Sequence, residues 1–289
     1  MLLIGLTGSI ATGKSTVSSL LSQPPYSLPI IDADLLAREV VEPGTAGYKA
    51  IVAHFGPSTP DLLIPATTNN GNDAADDNNN TKNHMPEHGP RGLGRPLNRA
   101  ALGRRVFGDD PARRADRAVL NGIVHPAVRR AMLRAVLKCY VRGCRAVVLD
   151  VPLLFESRLD RFCGAVMVVA VRDPEVQMAR LRARDPHLSR EDAENRVRSQ
   201  GDVREKARRC EGRGGGSGVV VWNDGGREEL KGEVARVMAE MERYSPRWWN
   251  WLLWVCPPVA VVLAAWGFWR NVRINRAWEE QELRERSKL

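Results

Sequence analysis

The apolar residues of this chain fall into two patterns that alternate along it. Short, nearly continuous runs occur at Leu2-Leu3-Ile4-Gly5-Leu6-Thr7, Ala146 to Leu154, Ala165 to Val171 and Val219 to Trp222. They lack the in-out alternation of a half-wet strand, so each predicts a strand buried on both faces. Pro29-Ile30-Ile31-Asp32-Ala33-Asp34 predicts a further short strand ending in two carboxylates. Between these runs, apolar residues recur at helical spacing: Thr16 to Leu21, Leu35 to Val41, Tyr48 to Phe55, Leu97 to Phe107, Pro111 to Leu137 and Leu230 to Met241. Pro126 is expected to open a new helix inside the fifth of these. A basic helical stretch is expected from Pro174 to Arg198. Apolar strands alternating with helices predict an α/β fold, a parallel sheet flanked by helices. Ligands of such a sheet gather beyond the carboxyl ends of its strands.

Three tracts break the pattern. Pro57 to Gly94 includes Asn69-Asn70-Gly71-Asn72-Asp73 and Asp76-Asp77-Asn78-Asn79-Asn80. So polar a tract cannot bury enough surface to offset its chain entropy, and a disordered loop insertion is expected over 57–94. Gly212 to Gly218 reads as a flexible linker. Trp248 to Trp269 contains no charged residue, and as a helix it would span about 33 Å, enough for the hydrocarbon of a bilayer. Tryptophans crowd both of its ends and arginines flank it, as at a membrane-water boundary. A transmembrane helix over 248–269 is therefore expected, kinked at Pro257-Pro258, with a short charged tail over 270–289. This makes the lipid bilayer a partner through a single-pass C-terminal anchor, with the preceding domain facing the cytosol. A buried core helix, or a hairpin lying in the membrane interface, is the competing reading.

A net charge of +9 over 289 residues comes from scattered arginines without interleaved aromatics, so no nucleic-acid partner is expected. The five cysteines form no C-x-x-C pair and no zinc spacing, which predicts reduced thiols rather than a metal site.

The chemistry enters at the first strand. Gly8-Ser9-Ile10-Ala11-Thr12-Gly13-Lys14-Ser15, followed by Thr16, is a G-x-x-x-x-G-K-S phosphate loop set between a strand and a helix. Its backbone N–H groups and the helix start can cradle a polyphosphate, which predicts ATP. Lys14 would neutralise the β and γ phosphates and the Ser15 hydroxyl would ligate Mg²⁺. Asp32 and Asp34, two apart on an extended segment, would point to one side, and one could accept a proton from an acceptor hydroxyl. A helix-capping role for Asp34 fits the sequence equally well. Asp150 ends the strand at Ala146, where it could serve Mg²⁺ or simply be a solvated strand end.

Together these segments resemble the dephospho-coenzyme A kinase family. The matching pieces are Leu6 to Thr16, Ile31-Asp32-Ala33-Asp34, Ala37-Arg38 with Val40-Val41-Glu42-Pro43-Gly44, and Arg99 with Leu102 and Val106-Phe107. They continue with His125-Pro126, Val151-Pro152-Leu153-Leu154-Phe155-Glu156, Gln177 with Arg180 and Arg184-Asp185, Ser199-Gln200, and Asn223-Asp224-Gly225. The resemblance covers roughly residues 1 to 240 apart from the 57–94 insertion, which interrupts the acceptor-binding lobe. It implies a P-loop kinase fold over 1–244 with an inserted helical acceptor-binding lobe and a lid over 177–200. It implies transfer of the γ-phosphoryl of ATP to the ribose 3′-hydroxyl of dephospho-CoA, completing coenzyme A. By position, Asp34 would be the base, Lys14 and Arg180 would stabilise the phosphoryl group, and Asn223 would contact adenine. Thr7, Asp32, Arg38 and His125 would line the acceptor site. Another small-metabolite or nucleotide kinase, or a catalytically inactive ATP-binding membrane scaffold, are the alternatives.

Overall fold

A computed structural model describes residues 1–64, 94–108, 110–187, 189–199, 202–244 and 255–287. The chain divides into two compact units, Met1–Asp32 with Ala135–Leu289, and Ala33–Arg134.

The first unit is built on five parallel strands: β1 (Leu2–Gly8), β2 (Ile30–Asp32), β3 (Ala146–Asp150), β4 (Ala165–Ala170) and β5 (Gly218–Trp222), in the order β2-β3-β1-β4-β5. Every residue of β3 and β4 is buried, as continuous apolar runs demand. On one face lie α1 (Lys14–Ser22) and α9 (Arg227–Tyr244), packing Val17, Leu21, Val234 and Val237 against Ile4, Leu6, Met167 and Val221. The other face is covered by α8 (Val203–Glu211) and the segment after β3. There Leu154 and Cys163 press so closely on β1 that a Cβ at Gly5 would lie 2.7 Å from the Leu154 side chain. Two further helices, α6 (Pro174–Arg184) and α7 (Arg190–Ser199), follow β4. The long helix expected up to Arg198 is broken at Asp185-Pro186, because a proline disfavours helical geometry in the residue before it.

The second unit holds α2 (Ala33–Glu39), α3 (Ala46–Phe55), α4 (Arg99–Val106) and α5 (Pro111–Val141) up to Arg134. Tyr48, Ile51, Phe55, Leu62, Leu97 and Val106 form its core. Thr45 caps α3 and Asn98 caps α4, each accepting a backbone N–H of the first turn. Pro126 lies inside α5 rather than opening a new helix. Most of the tract expected to be a disordered insertion lies outside the described residues, but its first part is ordered. Leu62 is buried and Leu63 bridges Leu97, so the lobe core extends further into this tract than its composition implies.

Two other expectations are corrected. Gly212 to Gly218 is a packed turn, not a flexible linker. Arg213 within it is buried against Asp160, and a Cβ at Gly218 would overlap the Cys210 carbonyl oxygen. The C-terminal helix α10 runs over Pro257–Arg286, so Pro257-Pro258 open it rather than kink its middle, and the expected charged tail is its continuation. Residues 248–254 of the expected span lie outside the described residues. Among those described, no helix is long and apolar enough to cross a membrane, and the orientation drawn from a span loses its basis. Instead α10 packs on the 3-10 helix Leu159–Phe162, where the buried Asn271 and Asn275 bond to the sheet unit.

Candidate functional site

The phosphate loop joins the end of β1 to the start of α1, and its shape is fixed from three sides. Ala11 and Gly13 take positive φ values of 61° and 93°. The Thr12 hydroxyl donates to the Ser9 carbonyl at 2.9 Å. From outside the loop, the Asn223 side-chain amide donates to the Thr12 carbonyl at 2.8 Å, and Gln177 donates to the Ile10 carbonyl at 2.7 Å. Asn223 packs so tightly that a Cβ at Gly13 would overlap its Nδ2. Glycine is therefore required there twice, by φ and by space. With loop carbonyls held by outside donors, its N–H groups and the start of α1 can face an anion.

Lys14 opens α1, and its Nζ lies 2.5 Å from Oδ1 of Asp150. The register pairs Asp32 of β2 with Asp150 of β3, and Asp150 with Leu6 of β1, so both carboxylates reach the carboxyl edge of the sheet beside the loop. Asp150 is 4% exposed. Burial pushes its pKa above the ordinary carboxylate value, Lys14 pulls it back down, and the neighbouring Asp32 charge adds to the rise. Asp150 therefore does not behave as a solvated strand end. Ser15, in the first turn of α1, is exposed. No cluster of three His, Cys, Asp or Glu side chains suited to a metal occurs among the described residues. The oxygen set of Ser15, Asp32 and Asp150 still fits Mg²⁺, which keeps waters and substrate phosphates in its shell rather than a protein cage.

A cleft of about 520 Å³ opens beside the loop, lined by Ser15, Thr16, Arg180, Asn223, Gly225 and Arg227 among others. Arg180 projects from α6, which Asp173 caps, and donates to the carbonyls of Asn223 at 2.6 Å and Gly225 at 2.9 Å. The expected lid arginine is thus tied to the turn after β5. Arg172 and Asp224 brace the same turn by an ion pair of 2.6 Å. Thr7, expected at the acceptor site, is fully buried and its hydroxyl donates to the Pro152 carbonyl, so its side chain offers no surface to an acceptor.

In the second unit, a separate cleft of about 360 Å³ is lined by Asp34, Ala37, Arg38, Arg99 and Val124 among others. Asp34 lies in the first turn of α2, directly after β2, and is exposed. The helix starts one residue before Asp34, so the extended geometry expected to align Asp32 with Asp34 does not apply. Arg38 shares the cleft with Asp34; His125, on α5, is exposed and is not among its lining residues. The structure thus gathers Lys14, Asp32, Asp150, Arg180 and Asn223 in one unit, and Asp34 and Arg38 in the other.

Sequence reasoning did not assign Gln177, Arg227 or Arg99 to a site. Gln177 stood in the family-like motif with Arg180, which was the available sign of its role. Arg99 likewise stood among the family-like pieces, whereas Arg227 carries no mark until the fold brings it to a cleft.

A phosphate loop at the centre of a five-stranded parallel sheet, with a helical lobe after β2, defines a P-loop kinase. The family model described as dephospho-CoA kinase matches residues 2–63 and 86–226, and the chain belongs to that family. Over 211 residues it is 44% identical to the dephospho-CoA kinase CAB5 of Saccharomyces cerevisiae, covering 73% of each chain. It is 33% identical over 271 residues to a dephospho-CoA kinase of Oryza sativa, covering 91% of this chain and 98% of that one. The fold is also that of the dephospho-CoA kinase from Campylobacter jejuni, with a TM-score of 0.53 at 21% identity over 83% of this chain and 97% of that chain.

Proposed function

We propose a residue-level mechanism for the family's reaction in this chain, the ATP-dependent phosphorylation of dephospho-CoA that completes coenzyme A. The observation that carries it is the phosphate loop locked by Asn223 and Gln177, with Lys14 and Asp150 at its exit.

ATP enters with its phosphates on the loop N–H groups and its base in the cleft beside Arg180, Asn223 and Arg227. Lys14 opens α1 and turns from Asp150 toward the β and γ phosphates, offsetting charge that builds on the transferring group. Mg²⁺, held by the phosphates and the Ser15 hydroxyl with Asp32 and Asp150 reached through water, would supply further charge neutralisation. Dephospho-CoA occupies the cleft of the helical lobe, where Arg38 and Arg99 supply cations for its phosphates and Asp34 meets its ribose. The Asp34 carboxylate accepts the 3′-hydroxyl proton as that oxygen bonds to the γ phosphorus, and the bond to the bridging oxygen breaks, its electron pair leaving with ADP. Arg180, fixed by two carbonyls, presents the edge of its guanidinium to the same phosphates. The bilayer is a partner in this reading only through surface contact of α10, because no described helix can span one.

Steady-state kinetics of Asp34→Asn test the assignment. A loss of at least about 100-fold in kcat with ATP affinity retained supports it. A change confined to KM would instead make Asp34 a binding residue.

A further inference from the structure

Helix α10 has two unlike halves. From Pro257 to Trp269 it carries no charged or polar side chain, and from Arg270 onward charges recur at almost every turn. The charged half is docked. Asn271 donates to the carbonyls of Arg161 and Cys163 at 3.0 and 2.9 Å. Asn275 donates to Asp160 at 2.7 Å, and Asp160 is also paired with the buried Arg213. The apolar half is the exposed one: Val261 is 68%, Val262 66%, Trp266 57% and Trp269 55% exposed. Phe162, 62% exposed on the sheet unit, stacks against Phe268 at 5.1 Å and extends the patch onto the core.

We propose that residues 257–269 insert into one leaflet of an anionic bilayer while Asn271 and Asn275 hold the kinase unit at its surface. The proposal deepens the surface-contact reading above and does not depend on kinase chemistry. Three observations select lipid as the occupant. First, sequence neighbours such as Val261 and Val262, or Phe268 and Trp269, are exposed together, so the helix is apolar all round. A protein groove needs only a stripe of apolar residues, whereas lipid wets every side. Second, Trp266 and Trp269 end the apolar half where the arginines begin, the arrangement of a water-bilayer boundary. Third, Arg270 lies over the Trp266 ring at 5.6 Å and Arg273 over Trp269 at 4.8 Å, with Arg273 and Arg276 exposed toward where anionic headgroups would lie. The described apolar half, residues 257–269, rises about 20 Å against a hydrocarbon core of about 30 Å, which suits one leaflet. Their far end is moreover fastened to the protein.

Flotation of the full chain with phosphatidylcholine vesicles, with and without phosphatidylserine, tests this. The chain is expected to float with the anionic vesicles and to be stripped from them by alkaline carbonate. The pair Val261→Glu, Val262→Glu should lower partitioning at least about tenfold. The pair Arg273→Glu, Arg276→Glu should lower it about tenfold on anionic vesicles and much less on neutral ones. Turnover of ATP and dephospho-CoA without lipid, measured in the same preparations, should be unchanged in both, which separates failure of this proposal from failure of the kinase assignment. No flotation, flotation unaffected by the valine pair, or flotation resistant to carbonate overturns it. A dimer dispersed by the valine pair, without flotation, overturns it in favour of a second copy.

Discussion

The Lys14 ammonium and the Asp150 carboxylate lie 2.5 Å apart, joining the first residue of α1 to the last residue of β3. The pair ties the phosphate loop to the strand next to it in the sheet. It also sets a cation where a polyphosphate would end, against one buried carboxylate. Lys14→Ala is expected to lower kcat/KM at least about 1000-fold, because charge on the transferring phosphoryl loses its nearest cation. A loss below tenfold would remove Lys14 from the chemistry.

The same pair predicts a pH dependence. Asp150 has a raised pKa in the folded chain, so the folded state holds its proton more tightly than the unfolded state. The stability this provides is present below the unfolded value and is lost as pH rises through the folded one. Lys14→Ala removes an influence that lowers this pKa. Its melting-temperature deficit should therefore be larger at pH 8 than at pH 5. A deficit independent of pH would contradict the assignment.

Gly13→Ala should disable the loop. The position has φ of 93° and no room for a Cβ beside Asn223. ATP affinity is expected to fall about 10- to 100-fold by titration calorimetry. Asn223→Ala in the same background relieves the overlap but not the backbone strain, so recovery should be partial. Full recovery would show that the conformation costs nothing.

Asn275 is 1% exposed and bonds to a carboxylate that is itself buried. Asn275→Ala should cost about 1–3 kcal/mol, seen as a melting temperature lower by about 2–10 °C. Truncation before Ser245 removes Asn271 and Asn275 together and should destabilise the sheet unit further. A truncated chain as stable as the full one would mean that α10 does not dock.

Cys163 and Cys210 are buried, and burial pushes both thiols up to about 12. At pH 8 roughly one in 10,000 of such thiols is ionised. A disulfide-exchange reagent should therefore label no more than the half-buried Cys139, Cys144 and Cys256 in the native chain, and all five after denaturation. Rapid native labelling of Cys163 or Cys210 would contradict the packing.

The sheet was legible because its strands are buried on both faces, which leaves apolar runs that nothing else explains. The loop was legible because its shape needs glycine and lysine at fixed spacing. Pro126 was misread because a proline that costs one hydrogen bond can persist inside a helix of 31 residues. Gly212 to Gly218 was misread because flexible linkers and tight turns share a composition. Only the tertiary approach of Cys210 to Gly218 separates them. The C-terminal segment was read from its lack of charge, its tryptophans and its flanking arginines, none of which registers two asparagines finding carbonyl and carboxylate partners far away in the chain. Arg227 was invisible for the same reason: a lone arginine acquires a site only when folding provides the cleft.

The central claim is tested most directly by identifying the product formed from ATP, Mg²⁺ and dephospho-CoA by the purified full chain. Coenzyme A carrying the new phosphate on the ribose 3′-oxygen, formed in equal amount with ADP and lost in Asp34→Asn, is the predicted result. Release of ADP without phosphorylated acceptor, or preference for a nucleoside monophosphate over dephospho-CoA, would contradict it.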